Sequence, residues 1–528
     1  MLSLCGGFPF RRTNGARGLT VNYLEMRGIT KSFGSVMANN RVDLTVRCGE
    51  IHSLLGENGA GKTTLMRILY GMIKPDSGEI YIKGRKVNFR NPQDALRHGI
   101  GMVHQHFMLS DTMTVAENIT LGSEPRRGFF YDREKAIREV EELSKKYSFR
   151  VDPRAKIETL SVGTKQRVEI MKALYRKSDL IILDEPTAVL TTNEVQELFK
   201  VLRELRDDGK TIIIITHKLK EIMQISDRVT IMRNGEYICT KDTCSTNPQE
   251  LAEMMVGRKV NLTVEKSTGI PEDAPVLFEL RNAVYRENKT EHLSGVSLKL
   301  HAGEILGICG VEGNGQTQLI EVITGIRPLT EGEIVVKGQT VVNCSPRKMV
   351  ELGIGHIPED RGTRGLVKEL TIRDNIVIGY QKRKAFSRKG ILNTKYLNEY
   401  SRDVAEKFSI KADSISSPIS SLSGGNQQKV IIGRVLSQDP DIIIAAQPTR
   451  GVDIGSIEYI HEKLLEMKKA GKAILLISAD LDEIRKLSDN IAVIYNGKIM
   501  AQGRNTDFDE QQLGLLMTGY RNQEDKHG

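Results

Sequence analysis

The sequence predicts an α/β protein built from two copies of one parallel-sheet domain. Two observations carry that prediction: sequence blocks that recur in the same order at nearly constant spacing, and short apolar runs that end in polar residues. GENGAGKTTL at Gly56–Leu65 returns as GVEGNGQTQL at Gly310–Leu319, and IGMVHQ at Ile100–Gln105 returns as IGHIPE at Ile354–Glu359, both at an offset of 254. LSVGTKQ (Leu160–Gln166) returns as LSGGNQQ (Leu422–Gln428), DLIILDEP (Asp179–Pro186) as DIIIAAQP (Asp441–Pro448), and IIIITH (Ile212–His217) as ILLISA (Ile474–Ala479), all at an offset of 262. Five blocks in one order are an internal repeat, and a repeat sets the fold before any finer reading. The second copy carries a net eight extra residues between Glu359 and Leu422.

In each copy an apolar strand runs into a Gly-rich loop and then a helix. Runs of Ile, Leu and Val such as Ile212–Ile215 are sized for strands buried on both faces, which is the mark of a parallel sheet. Between Gln105 and Leu160, Glu, Lys and Arg at helical spacing over Asp132–Tyr147 read as a helical insertion. The copies span 23–257 and 275–519. Between them, 258–274 (RKVNLTVEKSTGIPEDA) reads as a linker, polar and broken by Gly269 and Pro271. Residues 520–528 read as a tail. Residues 1–22 read as a disordered extension, with Met26 as an alternative start, because Arg11 and Arg12 follow an apolar patch too short for a secretory signal.

Composition bounds the rest. At 528 residues the chain exceeds one ordinary core, and 39% apolar with 27% charged residues fits a soluble globular protein. No run approaches the ~20 apolar residues a membrane-spanning helix needs, so a membrane role would come from a partner. The net charge of +9 comes with only 5% aromatics and no Trp, which argues against nucleic acid. The six cysteines form no CxxC pair, which argues against zinc and against a disulfide framework and leaves reduced thiols.

The chemistry is concentrated in the first copy. Gly56, Glu57, Asn58, Gly59, Ala60, Gly61, Lys62 and Thr63 fit GxxxxGK[ST], with Thr64 next in the helix. Such a loop closes backbone N–H groups around phosphate oxygens and aims the helix N-terminus at them. Lys62 would neutralise the β- and γ-phosphates and Thr63 would ligate Mg²⁺. Asp184 and Glu185 end the apolar strand Leu180–Leu183, where the first can hold the metal and the second can orient or deprotonate the attacking water. His217, at the end of the next strand, is in register to hydrogen-bond the γ-phosphate.

These motifs resemble the ABC ATPase family over about 500 of the 528 residues. The most distinctive of them is LSGGN at Leu422–Asn426. The resemblance implies two ABC-type P-loop ATPase domains, each with a RecA-like parallel-sheet core, an antiparallel β subdomain and a helical subdomain, using ATP and Mg²⁺. It implies that Ser423, Gly424, Gly425 and Asn426 cap a helix that donates to the γ-phosphate held by the opposite cassette. It also implies that Gln105 senses Mg²⁺ and the transmembrane partner, and that Phe33 stacks on adenine.

The second copy departs from the pattern. Gln316 replaces the loop lysine, Ala446 the metal-site aspartate, Gln447 the catalytic glutamate, Ala479 the histidine and Glu359 the glutamine. The first copy's signature is altered instead, with Val162 for a glycine and Thr164 for the usual Gln or Asn. If each site joins one loop to the other copy's signature, the damage gathers on one composite site and spares the other. The expectation is one hydrolytic site and one binding or structural site.

HQHFML (His104–Leu109), IPEDR (Ile357–Arg361) and AAQPTRGVD (Ala445–Asp453) make the chain most similar to importers of nucleosides, with simple-sugar importers next. That resemblance implies two permease subunits, an extracytoplasmic substrate-binding lipoprotein reached through them, and a peripheral place on the cytoplasmic face of the membrane. The rival is a soluble ABC-F-like ATPase acting on ribosomes. Such proteins usually keep two catalytic glutamates and a long charged inter-cassette segment, whereas this chain has Gln447 and a linker of about 17 residues.

Overall fold

The computed structural model describes residues 21–520 apart from 35, 106, 188–189, 191, 260–268, 271–272 and 289. Nearly all of the expected extension, most of the linker and almost the whole tail lie outside the described residues. The described chain divides into two compact units, the first ending at Pro248 and the second beginning at Gln249, with the three loop residues Glu57–Gly59 grouped with the second.

The first unit is built on a six-stranded sheet. Its strands run in the order Glu236–Asp242, Arg228–Arg233, Ile51–Leu55, Thr211–Ile215, Leu180–Asp184, Ile100–Val103. All neighbours are parallel except the first pair. The period-2 pleat sends alternate side chains to opposite faces. Leu180 and Ile182 enter one core with Leu54, Leu65 and Leu69, whereas Ile181 and Leu183 enter another with Phe149, Ile170 and Phe199. Both faces are therefore apolar, which is why the strands read as unbroken Ile/Leu runs.

A second, antiparallel sheet in the order Val36–Arg47, Asn22–Phe33, Ser77–Ile82, Arg85–Val87 closes one of those cores. The helical insertion is the helix Arg133–Lys146, packed with Val115–Thr120 and Val162–Tyr175. Asp132 caps it, its Oδ1 accepting from the Lys135 N–H at 3.0 Å.

The second unit repeats this plan. Its main sheet runs Ile354–Ile357, Ile442–Ala446, Ala473–Ser478, Ile305–Cys309, Asn490–Tyr495, Lys498–Arg504, and the antiparallel sheet runs Thr290–His301, Val276–Glu287, Glu331–Val336, Gln339–Val341. Its helical part holds Ile372–Val377, Thr394–Lys407 and Gly424–Leu436. The net eight residues that distinguish the copies fall between Glu359 and Leu422, the stretch that contains the first two of these helices.

Candidate functional site

In the first unit the strand Ile51–Leu55 delivers the loop Gly56–Gly61 to the helix Lys62–Leu69. Two of the loop's glycines are demanded by their surroundings. A Cβ on Gly56 would lie 2.4 Å from the Met232 carbonyl oxygen, and one on Gly61 2.1 Å from that of Ala38. Gly61 also sits at φ 90°, in the left-handed region, and caps the helix without a side-chain acceptor. The helix thus starts at the loop without a side-chain cap, its positive end turned towards the loop. Lys62 is buried, and its Nζ donates to the Gly56 carbonyl at 2.7 Å, which places its charge inside the loop. Ala60 is buried, whereas Thr63 and Thr64 are half-buried at the helix start.

The strand Leu180–Asp184 ends on the buried Asp184. Burial, and then the charge of Glu185, push its carboxyl up to about 6. Glu185 follows at φ 48°, a turn that breaks the strand's alternation, while its N–H still donates to the Ile215 carbonyl at 3.0 Å. Its carboxylate is held from two sides. Gln105 Nε2 donates to Oε2 at 3.0 Å, and His217 Nδ1 lies 3.1 Å from Oε1. The hydrogen bond from His217 is the largest influence on Glu185 and holds its carboxyl below the usual range. Two adjacent acids are thus driven apart, the buried one up and the hydrogen-bonded one down, which is the pattern of a pair given different tasks.

Two sequence-predicted residues therefore converge on the carboxylate of a third, from positions 80 and 32 residues away along the chain. His217 lies two residues beyond the end of its strand at Ile215, and Glu185 one residue beyond its own. Phe33 closes its strand with half its surface exposed and Lys31 Nζ 5.6 Å from its ring centroid, so a face is open to stacking. Sequence reasoning missed Asn39. This buried residue donates from Nδ2 to the Gly61 carbonyl at 3.1 Å and braces the loop, and a lone Asn in a strand gives no signal.

The second unit keeps the backbone and changes the chemistry. Gly315 takes φ 106° where Gly61 takes 90°, and Gln447 takes φ 44° where Glu185 takes 48°. The Gln447 N–H again donates to the neighbouring strand, to Ile477 O at 2.7 Å. Gln316, however, accepts the Asn314 N–H on Oε1 at 3.1 Å and donates from Nε2 to Val311 O at 3.0 Å. A lysine draws an anion into such a loop, whereas an amide oxygen occupies one of its donors. Ala446 leaves no metal ligand. Gln447 Oε1 accepts from the Ala479 backbone at 3.3 Å where an imidazole stands in the first unit. Arg450 bridges Glu359 at 3.0 Å and Glu312 at 3.3 Å, an ion-paired arrangement without a counterpart in the sequence reading.

The signature helices differ in the opposite sense. Ser423 caps Gly424–Leu436, and a Cβ on Gly425 would lie 2.3 Å from Ser456 Oγ and 2.8 Å from Asp453 Oδ2. Asn426 Nδ2 donates back to Ser423 Oγ at 3.1 Å. In the first unit Ser161 caps Val162–Tyr175, but Val162 stands on its first turn with 42% of its surface exposed.

Comparison with known proteins identifies the family. The ABC transporter family model matches residues 39–188 and 293–450, more than half the chain. The nucleoside import ATP-binding protein NupA of Lactococcus lactis subsp. cremoris is 46% identical over 94% of this chain and 98% of its own length. The guanosine import ATP-binding protein NupO of Bacillus subtilis is 48% identical over 94% and 97%. Among solved structures, the archaeal ribosome recycling factor aABCE1, in complex with the stalk protein aP1, superposes with a TM-score of 0.62 over 94% of both chains at 19% identity, a likeness of fold alone. Two cassettes with one complete set of phosphate-loop and carboxylate residues, matched by the family model and by relatives along nearly their whole length, place this chain in the ABC transporter family of ATP-hydrolysing cassette proteins.

Proposed function

We propose that this chain is the ATPase subunit of an importer for nucleosides, with simple sugars as the alternative cargo, and that hydrolysis takes place at one site only. The observation that carries the proposal is the split between the units: Glu185 is gripped by Gln105 and His217, whereas its counterpart Gln447 has neither a charge nor an imidazole. The loop N–H groups and Lys62 would bind the triphosphate, Phe33 the adenine, and Ser423, Gly424, Gly425 and Asn426 are proposed as the signature donors to the same γ-phosphate. Mg²⁺ fits the donor set, because Asp184 is a buried carboxylate whose carboxyl is pushed up by burial and Thr63, at the start of the loop helix, offers a hard hydroxyl oxygen. When bound, the ion would supply charge neutralisation at the phosphates.

Glu185, kept anionic by its hydrogen bonds, would align the attacking water and accept its proton, and His217 would fix the carboxylate's orientation. Gln105 is exposed and bonded to that carboxylate, so a permease touching Gln105 would feel the state of the site. No helix among the described residues is long and apolar enough to cross a membrane; in this reading permease partners supply the channel and this chain sits on its cytoplasmic face. The names of NupA and NupO support nucleosides. The test is co-purification with two permease subunits followed by uptake in proteoliposomes with a substrate-binding lipoprotein. Uptake of a labelled nucleoside supports the proposal, uptake of ribose alone transfers it to sugars, and recovery with ribosomes instead of permeases contradicts it.

A further inference from the structure

Each unit carries a short β-hairpin that the nucleotide chemistry does not use. In the first, Arg126–Arg127 pairs with Phe130–Tyr131 between the helices Val115–Thr120 and Arg133–Lys146. In the second, Ser387–Arg388 pairs with Ile391–Leu392 between Ile372–Val377 and Thr394–Lys407. Both point large apolar groups into solvent: Phe129 is 101% exposed and Phe130 81%, with Ile391 at 76% and Leu392 at 51%. The exposure is held in place. Tyr131 OH lies 3.2 Å from Thr120 Oγ1, and behind the second hairpin Phe386 is buried against Tyr400, ring centroids 4.9 Å apart.

Cations surround these apolar tips. Arg126 and Arg127 make no salt bridge among the described residues, and neither do Lys382, Lys384, Arg388 and Lys389, which line one open recess on the second hairpin. Of the nearby acids, Glu124 accepts the Gly122 N–H at 2.7 Å and feels the Arg126 charge without forming a salt bridge to it, and Asp132 caps its helix. Unpaired cations beside exposed apolar side chains fit a surface that is anionic outside and apolar just beneath. The residues differ between the copies, aromatics with two arginines in one and aliphatics with lysines and arginine in the other, yet the physical character is the same. A protein partner would read side-chain shape. A headgroup layer reads charge and apolar depth.

We propose that these hairpins are docking surfaces for an anionic lipid bilayer, each seating its apolar tip at the headgroup boundary with its cations on lipid phosphates. The contact is independent of nucleotide and needs no permease.

The full-length chain is co-sedimented, without permease, with phosphatidylglycerol–phosphatidylcholine vesicles and with phosphatidylcholine vesicles. The expected result is binding to the anionic vesicles that weakens as salt rises. Phe129→Ser with Phe130→Ser should weaken it about tenfold, and each of Lys384→Gln and Arg388→Gln about fivefold. Basal ATPase activity, measured on the same preparations, should be unchanged, which shows that the variants fold and separates this result from the hydrolysis proposal. Absence of wild-type binding to anionic vesicles overturns the inference, as does equal binding by the Phe variants. Loss of permease binding in detergent with vesicle binding intact assigns the hairpins to a protein partner and overturns it too.

Discussion

Replacing Glu185 by glutamine asks the first unit to do what the second already does. Gln447 holds the same left-handed backbone, φ 44° against 48°, and the same strand hydrogen bond, 2.7 Å against 3.0 Å. The backbone thus accepts an amide at this position without new strain. The carboxylate oxygens accept from Gln105 and His217, and an amide keeps only one acceptor. One exposed or half-exposed donor turns to water, and removal of the Glu185 charge relieves the buried Asp184 beside it. These small opposing terms leave stability within about 1 kcal/mol of the parent. Catalysis has no such offset. Loss of one preorganised electrostatic group costs roughly 10²–10³ in rate, about 3–4 kcal/mol of barrier. Phosphate release at saturating Mg·ATP and a thermal melt measure the two quantities on one sample. A variant that keeps more than about a tenth of the rate, or that melts far below the parent, would refute the reasoning.

Two further predictions rest on the first unit. Gly61→Ala adds a methyl 2.1 Å from the Ala38 carbonyl at φ 90°, so the loop must move; ATP affinity measured by a fluorescent analogue should fall at least about tenfold, with a lower melting temperature. His52 is fully buried between Glu50 at 3.0 Å and Thr230 at 2.8 Å, with Arg228 also on Glu50, and burial holds its pKa below the ordinary 6.5. A lowered folded value means stability present above 6.5 and lost as pH falls through it; Glu50, also held low, acts in the same direction. Melting temperature should drop on acidification from pH 7 to about 5, and less steeply in His52→Gln; parallel profiles would contradict the assignment.

What could be read from the sequence, and what could not, follows from distance along the chain. The phosphate loop was legible because its chemistry is local: glycines, lysine and threonine must sit at fixed spacing to wrap one group. Asp184 and Glu185 were legible because an apolar strand points at them. Their opposite electrostatic shifts were not, since these depend on burial and on Gln105 and His217 arriving from elsewhere. The bridge from Arg450 to Glu359 and Glu312 spans 91 and 138 residues and follows no periodicity. The hairpins escaped for the opposite reason. Two-residue strands such as Phe130–Tyr131 are too short to show alternation, and nothing in the sequence separates their apolar residues from core ones until exposure is seen.

The central claim is that the two units, alike in backbone, are unlike in chemistry, so the matching loop substitutions must have unequal effects. Lys62→Ala and Gln316→Ala are compared in one ATPase assay with the permease present. The account predicts that the first abolishes turnover and the second leaves it within about twofold of the parent. Equal losses from the two would contradict it.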